Sequence, residues 1–321
     1  MNVALPPELA AAIAHRLEGV SRKDLAARAE AFSAAYRSGG TSRGIADAHD
    51  VLAYLVARLP ATYAAVFAAF EAIRETQPAF APASILDVGA GPGAASWAAQ
   101  TQWPSLNAVT MLDHNAAFRE IARELWKGPD AKIVAGDIAS AKAQPKADLV
   151  VASYVLAELP EERAPAIARN LWSATTNTLL LVEPGTPQGF ARIRAAREAL
   201  VGGEGAHVIA PCTHNNPCPM KAPDWCHFSQ RLPRSRDHML AKDASVPFED
   251  ERFSYIAVSR FPAPPVNRAR IVKQPEETRT GIGFPLCDDN GLHTAAVNRR
   301  DKAIYNLIKK AKWGDVIVSE D

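Results

Sequence analysis

Two groups of residues in this sequence have the types and the spacing that bind cofactors. The first group is Asp87 with Gly89, Gly91 and Gly93, an acid and three alternate glycines after a short apolar run. Glycine adopts backbone angles closed to other residues and lets the main chain approach a ligand closely. A helical pattern follows, and the start of a helix supplies unpaired N–H groups. These residues therefore predict a strand, a ligand-binding turn and a helix.

The spacing of this glycine turn separates it from other glycine-rich loops. Its third glycine comes two residues after the second, whereas dinucleotide-binding turns place it three residues later. No Gly-Lys-Ser/Thr follows, which excludes a P-loop. The pattern Asp-x-Gly-x-Gly-x-Gly resembles the first motif of class I S-adenosylmethionine (SAM) methyltransferases. The resemblance implies that the turn wraps the methionine end of SAM, with Asp87 organising the turn or meeting the ligand ammonium. A tight turn without a ligand is the alternative.

The second group consists of all four cysteines of the chain. Cys212, Cys218, Cys226 and Cys287 follow the spacing Cys-x5-Cys-x7-Cys-x60-Cys. Four thiolates can form a closed zinc site or hold the corners of a [4Fe–4S] cluster. The wide spacings differ from the short Cys-x2-4-Cys pairs of zinc modules, and Cys218-Pro219 resembles the Cys-Pro found beside cluster ligands. Zinc remains the alternative metal, and four unrelated buried thiols would be the alternative to any metal site.

Alternating strands and helices must position the glycine turn. The apolar runs predict strands at 84–88, 107–112, 131–135, 147–153 and 178–183, with helices around 93–102, 115–127, 161–175 and 187–201. Such alternation indicates a parallel sheet covered on both faces, with ligands bound at the carboxyl ends of the strands. We therefore predict an α/β protein with the class I SAM-dependent methyltransferase (Rossmann-like) fold.

Polar residues stand at the ends of successive predicted strands, where a ligand would lie. Asp113 follows the second strand and can accept hydrogen bonds from both ribose hydroxyls of a nucleoside. The resemblance to SAM enzymes implies that Asp137 meets the adenine amino group and that the segment from Ser153 borders the transferable methyl. Each residue alone could be a helix cap or a loop residue, but their order favours SAM binding. No motif identifies a catalytic residue.

The glycine turn and the cysteines together match one family. The segments Asp87–Gly93, Val182–Pro187, Cys212–Pro219 and Trp225–Arg231 resemble methyltransferase-like assembly factors of the mitochondrial ribosomal small subunit and their bacterial relatives. The similarity covers about residues 40 to 290. The family implies SAM-type binding, association with the small subunit and its rRNA, and an iron–sulfur cluster. By position, the cluster ligands would be Cys212, Cys218, Cys226 and Cys287.

Three functions are compatible with these residues. The chain could be a SAM-dependent rRNA methyltransferase, a non-catalytic assembly factor that holds SAM and the cluster for structure, or a small-molecule methyltransferase. The cysteines and the basic clusters at 231–236 and 299–312 argue against the third, because basic clusters suit phosphate contact. The net charge of +1 decides nothing. The expected partners are the small subunit and its rRNA, with no membrane, and the free protein is expected to be a monomer.

The length and composition predict three regions. Residues 1–80 form an N-terminal helical region, 81–260 the SAM-binding domain with a metal-binding insert at 203–250, and 261–321 a small β-rich module. The apolar fraction of 48% supports a sizeable core. The sequence contains no run of about eighteen apolar residues, so no membrane span is predicted. The first residues resemble neither a secretory signal nor a mitochondrial targeting segment, so a cytoplasmic protein is expected.

Overall fold

A large mixed sheet lies at the centre of the protein. The computed structural model describes residues 3–37, 45, 47–140, 144–265 and 267–318. The strands of the sheet are β1 (Ser84–Val88), β2 (Ala108–Asp113), β3 (Ala131–Ala135), β4 (Ala147–Ser153), β5 (Thr175–Pro184), β6 (His207–Ala210), β7 (Phe228–Pro233) and β8 (Phe248–Ser259).

The order of these strands defines the fold class. It runs β3-β2-β1-β4-β5-β8-β6, and β7 pairs with the remaining length of β8. Strands β1 to β5 are parallel, and β8 is antiparallel to β5. Four of the five residues of β1 are buried, as expected for a parallel strand covered on both faces. The prediction of a class I SAM-dependent methyltransferase fold, Rossmann-like around a parallel sheet, is confirmed.

Helices alternate with these strands and cover the sheet. They are α5 (Ala94–Gln102), α6 (Ala116–Leu125), α7 (Ala164–Ala174) and α8 (Pro187–Val201) in the described chain, after four N-terminal helices given below. Polar side chains fix two of the helix starts: Asn115 accepts from two backbone N–H groups of α6, and Thr186 accepts from the Gly189 N–H of α8. The predicted elements agree with the observed ones to within a few residues.

The N-terminal helices pack against the main sheet and do not form a separate unit. It contains α1 (Pro7–Arg16), α2 (Arg22–Arg37), α3 (Ala48–Ala57) and α4 (Leu59–Thr76). Tyr63 and Phe70 of α4 are fully buried, and Phe70 packs edge-on against Trp103. Within the described residues no single helix is long and apolar enough to span a bilayer; α3 and α4 would pass such a test only as a pair bent by 47°.

A second, smaller sheet follows the main one. Its elements are β9 (Arg268–Ile271), β10 (Glu276–Glu277), β11 (Gly281–Asp288), β12 (Gly291–Asn298) and β13 (Val316–Val318), with α10 (Lys302–Ile308) before the last strand. The order is β10-β11-β9-β13, and β12 pairs with β11. The core of this sheet is formed by Ile271, Ile282, Phe284 and Leu286.

The stretch 203–250 holds more regular structure than the sequence indicates. The sequence suggests a last strand only from residue 253, whereas β6 and β7 both lie earlier and pair with β8. A short helix, α9 (Arg236–Ala241), follows β7. Strand β6 has four residues and ends at Ala210, directly before Pro211, so its apolar run is too short to be distinguished from a loop. Its pairing places Cys212 beside the sheet.

Candidate cofactor-binding sites

The glycine turn after β1 has a backbone that other residues would not readily adopt. The φ angles of Gly89, Gly91 and Gly93 are 69°, 54° and 92°, all in the left-handed region. The N–H groups of Gly89 and Ala90 both donate to the Leu112 carbonyl, which ties the turn to the end of β2. The glycine spacing is thus required by the backbone itself, as well as by any ligand.

Asp87 holds the turn from inside the protein. The side chain is fully buried, and Oδ2 accepts hydrogen bonds from the Ser96 N–H at 3.0 Å and the Ser96 hydroxyl at 2.8 Å. Burial raises the pKa of Asp87 to about 7. The other oxygen, Oδ1, is buried and has no hydrogen-bond partner among the described residues. A buried acceptor without a donor fits a ligand that supplies an N–H or ammonium group.

Asp113 links the glycine turn after β1 to the residue that precedes α6. Its Oδ2 accepts from the Gly91 N–H at 2.7 Å, and its Oδ1 accepts from the Asn115 N–H at 2.7 Å. Each carboxylate oxygen can accept a further hydrogen bond, so ribose hydroxyls could still be bound. The sequence indicated Asp113 as a ligand contact; the structure adds that it anchors the turn.

The other two predicted positions are less closely connected to the turn. Asp137 is exposed after β3, and its Oδ1 accepts from the Ala139 N–H at 2.8 Å in the manner of a turn cap. Ser153 is the half-buried last residue of β4, the strand that pairs with β1. Thus Gly91 and Asp113 form one hydrogen-bonded corner at the ends of β1 and β2, and Asp87 ties β1 to α5 through Ser96. Asp137 and Ser153 lie at neighbouring strand ends. Their contact with SAM stays a prediction.

A polar group beyond β4 was not identified as a site from the sequence. Tyr154 has a φ of 60°, which is unusual for a residue with a side chain, and its hydroxyl donates to Glu251 Oε1 at 2.8 Å. Burial raises the pKa of Tyr154 well above its ordinary value, so it remains a neutral donor. Arg58 Nη2 lies 3.7 Å from the same carboxylate oxygen. Tyr54 of α3 packs on Phe118, with ring centroids 4.8 Å apart.

The four cysteines meet at one cavity between the two sheets. Cys212 follows β6, Cys218 and Cys226 lie in the loop before β7, and Cys287 lies in β11. All four line a cavity of about 30 Å³. The segment between Cys212 and Cys218 is tied to the turn between β11 and β12, since the Asn216 amide donates to the Asp289 carbonyl at 3.1 Å. The spacing predicted one group of four thiols, and these four line one cavity.

Burial controls the protonation of these thiols. It raises the pKa of Cys287 to about 12 and that of Cys226 well above its ordinary value, and each thiol also feels its neighbours. Metal ligands must be thiolates, so metal binding here would release protons.

The two candidate metals require different arrangements of the sulfurs. No three His, Cys, Asp or Glu side chains in the described part of the chain converge closely enough to hold a single metal ion. A zinc ion about 2.3 Å from each sulfur requires sulfurs about 3.8 Å apart. A four-iron cluster takes one thiolate at each corner and therefore accepts a wider set.

The two histidines near the cysteines have different surroundings. His214 is buried, and its Nε2 lies 3.5 Å from the Cys287 sulfur. His227 stacks on Trp225 and meets Trp313 edge-on, with centroid distances of 5.1 and 4.7 Å. His227 is therefore a packing residue in this structure, whereas His214 borders the thiols.

The two predicted basic clusters differ in the charge they expose. Arg231 pairs with Asp250 through two hydrogen bonds of 2.7 and 2.8 Å, and Arg234 pairs with Glu249. The first cluster is therefore largely neutralised. The lysines in and after α10 are exposed, namely Lys302, Lys309, Lys310 and Lys312. The second cluster is the one that leaves positive charge at the surface.

Comparison with known proteins identifies the family. A family model described as "Mitochondrial small ribosomal subunit Rsm22" matches residues 48–318. The chain belongs to the Rsm22 family. Its human relative, "Ribosome assembly protein METTL17, mitochondrial", is 29% identical over 287 residues, which is 83% of this chain and 62% of the relative. The Schizosaccharomyces pombe relative "Rsm22-cox11 tandem protein 2, mitochondrial" is 25% identical over 361 residues, 93% of this chain and 47% of the relative.

This Rsm22-family chain spans less than two thirds of the length of those relatives. Solved structures with a similar fold include magnesium protoporphyrin IX methyltransferase from Synechocystis with bound SAM. That enzyme is 15% identical with a TM-score of 0.41, covering 74% of this chain and 97% of the enzyme. A putative RNA methyltransferase from Pyrococcus horikoshii is 14% identical with a TM-score of 0.39, covering 60% and 83%.

Proposed function

We propose that this protein binds SAM and a four-cysteine metal centre and acts in assembly of the small ribosomal subunit, by binding or methylating its rRNA. The observation that carries the proposal is the family match over residues 48–318, which includes both the glycine turn and all four cysteines. The human relative is named as a ribosome assembly protein. Transfer of that role to this chain is part of the proposal.

SAM binding is supported by Asp87 and by the corner that Gly91 and Asp113 form. The three left-handed glycines leave the turn without side chains, and Asp87 Oδ1 offers a buried acceptor that lacks a donor. Asp113 has lone pairs left for ribose hydroxyls after accepting two backbone N–H groups. SAM, when bound, would supply an electrophilic methyl group. The chain itself would bind and orient the nucleoside and the amino-acid end.

A [4Fe–4S] cluster on Cys212, Cys218, Cys226 and Cys287 is the proposed metal centre, with zinc as the alternative. The shared cavity supports a common ligand for the four thiols. Their wide spacing in the sequence favours the cluster over zinc. The role would be structural, because Cys287 belongs to the smaller sheet and the other three cysteines lie between β6 and β7 of the main sheet. The centre would hold the two sheets together.

Association with rRNA is supported by the exposed lysines in and after α10. The same helix exposes Ile304 and Leu307, the latter 82% exposed. A surface that combines positive charge with apolar side chains suits a ribonucleoprotein particle better than free duplex RNA, where phosphate contacts dominate.

The deciding experiment combines sedimentation with methyl transfer. Purified full-length protein is mixed with small subunits and with their precursors, in the presence of tritiated SAM. Co-sedimentation with precursors supports the assembly role, and tritium in rRNA adds the enzymatic function. Binding without tritium leaves a non-catalytic factor. Failure to bind either particle contradicts the proposal.

The metal centre has its own measurement. Protein purified without oxygen should contain iron and sulfide and absorb broadly near 400 nm, as iron–sulfur clusters typically do. Cys287→Ser should lose iron and become more sensitive to proteolysis after residue 260. Met220→Leu, a buried change in the wall of the same cavity, is the matched control and should keep the metal. One zinc per chain without iron would leave the zinc alternative.

A further inference from the structure

Two arginines are buried beside the four cysteines. Arg197 of α8 and Arg270 of β9 are each 3% exposed, and no other arginine or lysine among the described residues is as deeply buried. Both line the cavity that the four cysteines share. Arg197 comes from a helix that covers the main sheet and Arg270 from a strand of the smaller sheet, so the positive charges reach the cavity from two sides.

Arg197 donates hydrogen bonds to neutral carbonyl groups, which do not compensate its positive charge. Its Nη2 donates to the carbonyl oxygens of His214 at 3.1 Å and Asn216 at 2.6 Å, and its Nε is buried without a partner. Within the described chain, none of the ion pairs gives Arg197 a carboxylate partner.

Arg270 is in a similar position. Its Nε donates to the Pro211 carbonyl at 2.9 Å and its Nη1 to the Gly314 carbonyl at 2.6 Å. The carboxylate nearest to it is that of Glu75, 3.8 Å away on a side chain that is 53% exposed. Water screens such a pair strongly, so most of the buried charge stays uncompensated.

A buried cation without a counter-charge is costly, so these residues indicate an anion in the cavity. Among the described residues neither Asp288 nor Asp289 forms an ion pair with the two arginines, and Asp288 lies 3.7 Å from His293. The four thiols supply the anion when they bind metal. Four thiolates carry −4, and either Zn²⁺ or a cluster core of charge +2 leaves −2. Two arginines match that charge.

We propose that Arg197 and Arg270 are the counter-charges of the metal centre, offsetting the net charge of −2 that its four thiolates and metal leave and controlling its retention and its reduction. This inference rests on the proposed metal centre. Reduction by one electron adds negative charge to the site, and the two fixed positive charges favour that reduced form. The arginines are positioning and charge-compensating residues, since neither is a metal ligand.

The test uses loaded full-length protein purified without oxygen. Arg197→Gln and Arg270→Gln remove charge and keep hydrogen-bond donors. Arg194→Gln is the matched control, because Arg194 lines the same cavity but pairs with Glu198 at 2.9 Å. Each of the first two should shift the ratio of reduced to oxidised cluster about tenfold, a midpoint potential lower by about 59 mV for a one-electron couple. Arg194→Gln should leave it unchanged.

Metal retention is a second measurement, and it applies to either metal. Chelator should remove iron or zinc about tenfold faster from the two glutamine variants than from the wild type. Arg197→Lys, which keeps the charge, should retain metal even if Arg197→Gln cannot be loaded; loss from both variants overturns the charge argument. Unchanged potential and retention in the glutamine variants also overturn it. Wild-type protein with neither iron nor zinc overturns the metal centre itself, which is a different failure.

Discussion

Replacing Gly89 by alanine tests the geometry of the glycine turn most directly. A Cβ at this position would lie 2.6 Å from Val155 Cγ2 and 2.9 Å from Val155 Cβ. The backbone φ of 69° adds a second cost. Left-handed backbone costs a residue with a side chain about 1–2 kcal/mol, and overpacking costs about 1–3 kcal/mol. Gly89→Ala should therefore lower the free energy of unfolding by about 2–5 kcal/mol.

Two variants separate the backbone cost from the steric cost. Gly205→Ala is the control, because Gly205 has a φ of 64° and a Cβ there would meet nothing within 4 Å. It should lose only the backbone contribution, about 1–2 kcal/mol. Adding Val155→Ala to Gly89→Ala, with Val155→Ala alone as reference, should recover the steric part and leave the backbone part.

Urea denaturation of the SAM-free protein measures these free energies, and calorimetry with SAM measures binding by the variants that remain folded. Gly89→Ala should bind SAM more weakly even where it is folded, because Gly89 belongs to the proposed ligand turn. Two results would refute the reasoning. One is Gly89→Ala with wild-type stability, and the other is full recovery by Val155→Ala, since that would leave no backbone contribution.

Three further predictions concern binding and pH. Asp113→Ala should weaken SAM binding by about 1.5–3 kcal/mol, or ten- to a hundredfold, through loss of the ribose acceptor; equal affinities by calorimetry would contradict it. Burial raises the pKa of Glu183 from 4.5 to about 8, so stability should fall as pH rises through that window, and Glu183→Gln should flatten the fall. A free energy of unfolding of the wild type that does not change over this pH range would contradict the prediction. Neutralising Lys309 and Lys310 together should reduce the salt slope of rRNA binding by about one to two, and an unchanged slope would exclude both from phosphate contact.

Local sequence patterns determined much of the fold. The apolar runs of β1 and β4 and the polar residues after them follow from burial on both faces of a parallel sheet. The glycine spacing after Asp87 follows from backbone angles that glycine alone adopts readily. The four cysteines formed a group by count and spacing. Each of these signals is a pattern within one segment or the occurrence of a rare residue type. Such signals can be recognised without knowing the tertiary contacts.

The tertiary structure decided what depends on residues far apart in the chain. Glu251 reaches the Tyr154 hydroxyl across 97 positions, and no periodicity relates the two. The pairing of β6 depends on β8, because a four-residue run has too few positions to show its period. Arg197 and Arg270 look like surface arginines in the sequence, and only the packing of the two sheets buries both at the cysteine cavity. Burial and charge compensation are properties of the assembled fold, so the sequence alone could not assign them.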